Sequence, residues 1–117
     1  MEDFRSGCPI ASTLDLVGDR WTLVIVRDML NGKQRYSEFL DAPERITTNI
    51  LADRLGKMEA AGLISRSPYQ TRPKRHAYAL TPKGLALHPI LREMCIWAGH
   101  HIADRWTPPE AFMRGPH

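Results

Sequence analysis

The chain has 117 residues, 43% hydrophobic and 25% charged, an ordinary composition for one globular domain that excludes wholesale disorder. No uninterrupted apolar stretch is long enough to cross a bilayer, and the acidic start Met1-Glu2-Asp3-Phe4-Arg5 lacks the basic flank and apolar run of a signal peptide, so a cytoplasmic protein without a membrane partner is expected. The net charge of +3 is modest but unevenly placed: no acidic residue lies between Glu59 and Glu93, whereas Arg66, Arg72, Lys74, Arg75, Lys83 and Arg92 do.

In chain order, Pro9 just inside a helix start, Ile10, Leu14 and Val17 on one stripe, and Gly18 at the end give a short first helix. Asp19 is a good N-cap for a second helix from Arg20 to about Leu30. Trp21, Val24, Ile25 and Met29 cover one of its sides and Leu23, Val26 and Leu30 the other, the pattern of a buried central helix. Asn31-Gly32 closes it, and Tyr36, Phe39 and Leu40 form a short amphipathic helix that Pro43 ends. After the turn Pro43 to Ile46, Thr47 caps a longer helix reaching Ala61, stopped by Gly62. Leu63 to Pro68 and Arg75 to Leu80 read as two strands joined by the basic loop Tyr69 to Lys74. Thr81-Pro82 opens a last long helix, and the first seven residues and the Pro-rich tail from Thr107 are expected to be loose.

Two helices joined by a tight turn and followed by a basic hairpin give the fold expected here: mainly α with a small β-hairpin, a winged helix-turn-helix in one domain spanning 1–117, its core over 8–102, the helix-turn-helix over 36–61, the wing over 63–80 and a dimerisation helix over 81–104. In the helix after Thr47, Leu51, Leu55 and Met58 share the inward face, leaving Thr48, Asn49, Ala52, Asp53, Gly56 and Lys57 outside, a small and polar surface able to enter a major groove. Asn49 is suited to bidentate contact with adenine, and Asp53 to accepting from a cytosine amino group. Arg35, Tyr36 and Ser37 at the preceding helix start, Thr47, and Arg72, Lys74 and Arg75 on the hairpin complete the candidate contacts with double-stranded DNA. The stripe Leu87, Ile90, Leu91, Met94 and Trp97 exceeds what a small domain covers by itself, so two copies are expected to bury each other's stripes in a homodimer on an inverted-repeat operator.

Other readings carry less. No Gly-rich phosphate loop, GxSxG, HExxH or paired carboxylates suggest an enzyme, and two cysteines, Cys8 and Cys95, without metal-ligand spacing suggest neither a disulfide framework nor a zinc site; no cofactor is expected. His100, His101 and Asp104 share a helical side, but His residues near a helix end more often cap carbonyls or sit in solvent. Trp21 and Trp97 are candidates for an effector pocket or, with more weight, for core packing. The alternative function is a winged-helix protein-interaction module without sequence-specific DNA binding, which the acid-free basic run disfavours.

Cys8-Pro9 with DLVGDRW from Asp15 to Trp21, Arg35-Tyr36-Ser37-Glu38-Phe39, ILADRLGKMEAAGLI from Ile50 to Ile64, and RPKRHAYALTPKG from Arg72 to Gly84 together resemble the HxlR-type winged-helix regulators, related in architecture to MarR-like proteins. The resemblance implies a DNA-binding homodimer whose first and last helices build the interface. It also implies a role for Cys8, since some members of that family sense oxidants or electrophiles through a cysteine at this Cys-Pro position. At the expected N-cap of the first helix, unsatisfied backbone N–H groups favour a thiolate at Cys8, while a plain capping or packing role stands beside this; a small-molecule effector is the other signal considered. The tail after Ile102, with Trp106 and Phe112, departs from the family's pattern.

Overall fold

Pro9 opens the first helix because its missing N–H is one that a helix start leaves unbonded in any case. The structure, a computed structural model, describes residues 3–116. Met1, Glu2 and His117, at the two ends expected to be loose, lie outside the described residues. Among the described residues seven helices and two strands follow one another: α1 (Pro9–Val17), α2 (Thr22–Leu30), α3 (Tyr36–Leu40), α4 (Thr48–Ala60), β1 (Ile64–Thr71), β2 (Lys74–Leu80), α5 (Pro82–Leu85), α6 (His88–His101) and α7 (Glu110–Arg114).

Asp19 caps α2 as its position in the sequence suggests, although the helix begins two residues later than Arg20. Its carboxylate accepts from the backbone N–H groups of Trp21 at 2.9 Å and Thr22 at 3.0 Å, and from the buried Thr22 hydroxyl. Helix α2 is the core's central member: Ile25, Val26 and Met29 are buried with Phe39 of α3, Leu51, Leu55 and Met58 of α4, and Leu63 and Ile64 entering the hairpin. Thr47 caps α4 by accepting from Ile50 N at 3.3 Å, and Gly62 leaves it with φ of +77°, a conformation that favours glycine.

The hairpin is longer than its apolar pattern indicates. Antiparallel pairing runs from Ile64↔Leu80 to Pro68↔His76, skips Tyr69 as a bulge, and resumes at Gln70↔Arg75 and Thr71↔Lys74. The expected six-residue loop is therefore reduced to a turn at Arg72 and Pro73. The bulge takes up one extra residue beside Pro68, which has no N–H to give to a ladder, so pairing continues beyond it. Tyr78 N also donates to Gln34 O at 2.8 Å, fastening the hairpin to the segment before α3.

The last helix is not continuous from Thr81. Pro89 has no N–H with which to continue the ladder from α5, so the chain restarts as α6, which ends at His101. Leu87, just before α6, and Leu91 enter the core, where they are 9% and 6% exposed, while Ile90, Met94 and Trp97, on another side of α6, stay outside at 39%, 52% and 61%. Two of the five residues of the expected dimerisation stripe, Leu87 and Leu91, are thus packed within their own chain. The tail is not loose either, because Phe112 of α7 packs against the core and its carbonyl lies 2.6 Å from Nε2 of buried His88. At the other end Arg5 pairs with Asp15.

The joint between α4 and α5 is stitched by Thr81 Oγ1 donating to Gly62 O at 2.5 Å and Lys83 Nζ donating to Ala61 O at 2.7 Å. Gly84 makes this approach possible, since a Cβ there would meet Leu63 O at 2.1 Å. Gly84→Ala is expected to lower the unfolding free energy by roughly 1–3 kcal/mol through overpacking. Gly56→Ala, where a Cβ meets nothing within 4 Å on an exposed face of α4, is expected to raise it by about 1 kcal/mol through helix propensity. Denaturant unfolding of both variants checks the pair, and equal effects would remove the close approach as the reason for glycine at 84.

Candidate nucleic-acid interface

Burial of Leu51, Leu55 and Met58 fixes the rotation of α4, and 3.6-residue periodicity then puts Thr48, Asn49, Ala52, Asp53, Gly56 and Lys57 on its exposed side. None of these six side chains is larger than lysine; Ile50, in the first turn of the helix, is an exposed large apolar residue beside them at 36%. Thr47, exposed at the start of α4, uses its hydroxyl as the helix cap. Ser37 is exposed on α3.

Three expected contacts have structural partners. Tyr36 donates its hydroxyl toward Thr48 O at 3.5 Å, bracing the start of α4, and partial burial pushes its phenol pKa up. Arg35 lays its guanidinium 4.1 Å over the centre of the Tyr69 ring, so the start of α3 and the bulge of the wing are joined by a cation–π contact. Asp53 is held by Arg54 at 2.6 Å and Lys57 at 3.4 Å. The hydrogen bond from Arg54 leads the influences that lower its carboxyl pKa. An acid on the exposed face is thereby neutralised by its own helix.

The acid-free window divides in two. Arg66 reaches back to Glu59 at 3.5 Å, Lys83 bonds Ala61 O, and Arg92 lies 3.4 Å from Glu93. Arg72, Lys74 and Arg75 are exposed at the hairpin's end and take part in no ion pair among the described residues. The uncompensated charge of the window is therefore gathered at the wing.

Arg54 is the residue that sequence reasoning missed. It spans from Asp53 to Asp19, with Nη1 3.4 Å from Asp19 Oδ2, and so ties the exposed helix to the cap of α2. The Asp19 carboxyl feels burial first, which raises its pKa, but the bonds from Thr22 and Trp21 and the Arg54 charge outweigh it and hold it low. A second clamp fixes the turn before α4: Arg27 of α2 grips Glu44 through two 2.8 Å bonds and buried Asp28 at 2.9 Å. The Glu44 bond leads the influences that raise the Arg27 pKa. Neither clamp has a local signature, because the partners are far apart in sequence; the aromatic Tyr69 beside a basic turn was the one available hint for the Arg35 contact.

Away from this face, Cys8 is exposed at the N-cap position of α1 and Cys95 is half-buried on α6, both as free thiols. Ile10 and Leu14 of α1 are 72% and 53% exposed, like Ile90, Met94 and Trp97 of α6. Trp21 packs against the core, and Trp97 lies tilted against His101 with ring centres 5.0 Å apart. Among the described residues no group of three side chains, His100, His101 and Asp104 included, is placed to hold a metal ion, and no helix is long and apolar enough to cross a membrane.

Comparison with known proteins agrees with this architecture. The family model for the HxlR-like helix-turn-helix matches residues 16–106. A relative from Bacillus subtilis (strain 168) named an HTH-type transcriptional regulator, YdeP, is 34% identical over 110 residues, covering 94% of this chain and 84% of the relative. The crystal structure of PA1607, described as a transcription factor, superimposes with a TM-score of 0.78 at 33% identity over 89% of this chain and 73% of that one. The oxidised form of the redox regulator HypR superimposes with a TM-score of 0.72 at 33% identity over 86% of this chain and all of that one (100%). The chain belongs to the HxlR-like helix-turn-helix family, and it is an HTH-type transcriptional regulator with a winged-helix fold.

The stacking of Arg35 on Tyr69 has a measurable consequence for the wing. A partly exposed cation–π contact is worth about 0.5–1 kcal/mol, enough to change local opening but little of the global stability. Tyr69→Ala is expected to speed amide hydrogen exchange at residues 70–76 about three-fold or more while exchange in α2 stays as in the parent protein. Unchanged exchange at the wing would show that the contact does not hold it.

Proposed function

We propose that this HTH-type regulator binds an inverted-repeat operator as a homodimer, with α4 of each protomer in the major groove and the β1–β2 turns on the flanking backbone. The observation that carries the reading is the juxtaposition of a small, polar outer face on α4 with the unpaired Arg72, Lys74 and Arg75 on the hairpin beside it. Such a surface suits a groove and its phosphates, with Asn49 and Thr48 facing base edges. The exposed apolar residues Ile10 and Leu14 of α1 and Ile90, Met94 and Trp97 of α6 support the dimer, because they leave a surface that a second copy can cover.

The two kinds of DNA contact separate by experiment. The triple change Arg72→Ala, Lys74→Ala and Arg75→Ala is expected to weaken binding to every sequence about equally and to lower the salt slope by roughly one unit per lost phosphate contact per protomer. Asn49→Ala should cost about 1–3 kcal/mol at one operator position and relax preference there. Fluorescence anisotropy at several salt concentrations, on an operator chosen from random DNA, checks both; a triple variant with unaltered affinity and slope would favour the protein-interaction reading instead.

The signal we propose is thiol oxidation at Cys8. Its exposure at the start of α1, close to the apolar surface assigned to the dimer, would let a modified sulfur disturb the pairing of two chains. The similarity to the redox regulator HypR supports a thiol-responsive switch. Trp97→Asp is expected to give monomers by sedimentation and to abolish specific binding. Diamide is expected to lower operator affinity in the parent protein and not in Cys8→Ser. Undiminished binding after mass spectrometry has confirmed modification of Cys8 would end the proposal.

A further inference from the structure

A groove of about 850 Å³ opens between α2, α6 and the C-terminal strap, inside the range of roughly 300–1,000 Å³ typical of small-molecule sites. Leu23 and Val24 of α2 form one wall, Leu91, Cys95 and Ala98 of α6 the floor, and Trp106, Pro108 and Phe112 of the strap the other wall. Much of that second wall lies beyond residue 106, where the family match ends. Trp106 is 79% exposed although it lines the recess, which leaves one of its large apolar faces open to an occupant.

The charges at the rim define the kind of occupant. Three cations, Arg27, Lys33 and Arg105, stand with three carboxylates, Asp28, Glu44 and Asp104, and Arg27 is already bonded to both Asp28 and Glu44. An ionised ligand would give up its hydration against apolar walls and find no surplus of opposite charge in return. Flat aromatic surface is rewarded by the indole of Trp106, the ring of Phe112 and the sulfur of Met94, while Asn31 supplies an amide donor and acceptor at the rim. We propose that this groove binds a small uncharged aromatic molecule carrying one hydrogen-bonding group.

An occupant there touches two elements that govern the interface. Glu44 is both rim and anchor of the turn before α4, and Met94 is shared with the exposed surface of α6 formed with Ile90 and Trp97. The groove is therefore placed to serve as the effector site. This consequence rests on the regulatory reading above, whereas the binding itself does not.

The test uses the full chain without DNA and three probes of nearly one shape: naphthol, naphthoate and naphthylmethylammonium. Calorimetry is expected to show saturable binding of one naphthol per chain, about ten-fold tighter than either ion. Ala98→Phe, which fills the floor, is expected to abolish binding, and Trp106→Ala to weaken it about ten-fold, both with unfolding midpoints near that of the parent. In a Cys8→Ser background, where Cys95 is the remaining cysteine, naphthol is expected to slow alkylation by iodoacetamide with the same concentration dependence. Absence of saturable binding, an ion that binds more tightly than naphthol, or retention of binding in both variants would overturn the proposal. So would sedimentation showing that Ala98→Phe and Trp106→Ala separate a dimer, which would make a second copy the occupant. Operator binding is read independently: naphthol binding with no DNA binding contradicts the regulatory reading alone, and DNA binding with no naphthol binding contradicts the groove alone.

Discussion

The orientation of α4 depends on one carboxylate as much as on its buried leucines. Packing of Leu51, Leu55 and Met58 fixes which face of the helix looks inward, but an apolar contact is non-directional and leaves its exact tilt open. Asp19 removes that freedom. It completes the start of α2 by accepting from Trp21 and Thr22 and at the same time receives the Arg54 guanidinium from α4. With Arg27 holding Glu44 in the preceding turn, both approaches to the exposed helix are referred to α2, the most buried helix of the chain. Charged pairs of this kind add little net stability, yet their geometry discriminates between arrangements that hydrophobic burial treats alike.

A basic window becomes a basic site only after its internal bonds are counted. Arg66, Lys83 and Arg92 are engaged in holding helix ends and neighbouring acids, so half of the apparent charge is structural. What remains, Arg72 in the two-residue turn and Lys74 and Arg75 at the start of β2, sits at the end of a hairpin whose strands are paired on both sides of the bulge at Tyr69. The same bulge turns Tyr69 toward Arg35, so the device that lengthens the wing also fastens it to α3. On α4, pairing of Asp53 with Arg54 and Lys57 keeps a carboxylate from opposing phosphate.

The far side of the molecule follows a different constraint. A chain of this size cannot cover all of its apolar helix faces, and α1 and α6 leave theirs exposed while the C-terminal strap shelters another part of α6. His88 anchors that strap through the Phe112 carbonyl, and Gly115 lies against its ring, where a Cβ would come within 2.6 Å. Helix α6 is therefore shared among three tasks: Leu91 serves the core, Ile90 and Trp97 face outward, and Cys95 and Ala98 line the groove.

Local features of the sequence determined much of this. The caps at Asp19, Thr47 and Thr81, the proline at 9 and the left-handed Gly62 act within a few residues, and each reads directly as the end of an element. Helical periodicity likewise settled which side of α4 is exposed, because burial of every third or fourth residue admits one rotation. The tertiary structure decided what depends on partners distant in sequence. Leu87 and Leu91 have the same apolar character as Ile90 and Trp97, and what the sequence does not say is which of these two neighbouring sides the core takes; packing against the rest of the fold sends the first pair inward and leaves the second outside. The tail looked loose because its prolines carry no periodicity, yet it is held by a buried histidine 24 residues away. Arg35 reads from sequence as a phosphate contact, Lys83 as part of the basic window and Arg54 as nothing in particular, and what fixes the role of each is the group it meets across the fold.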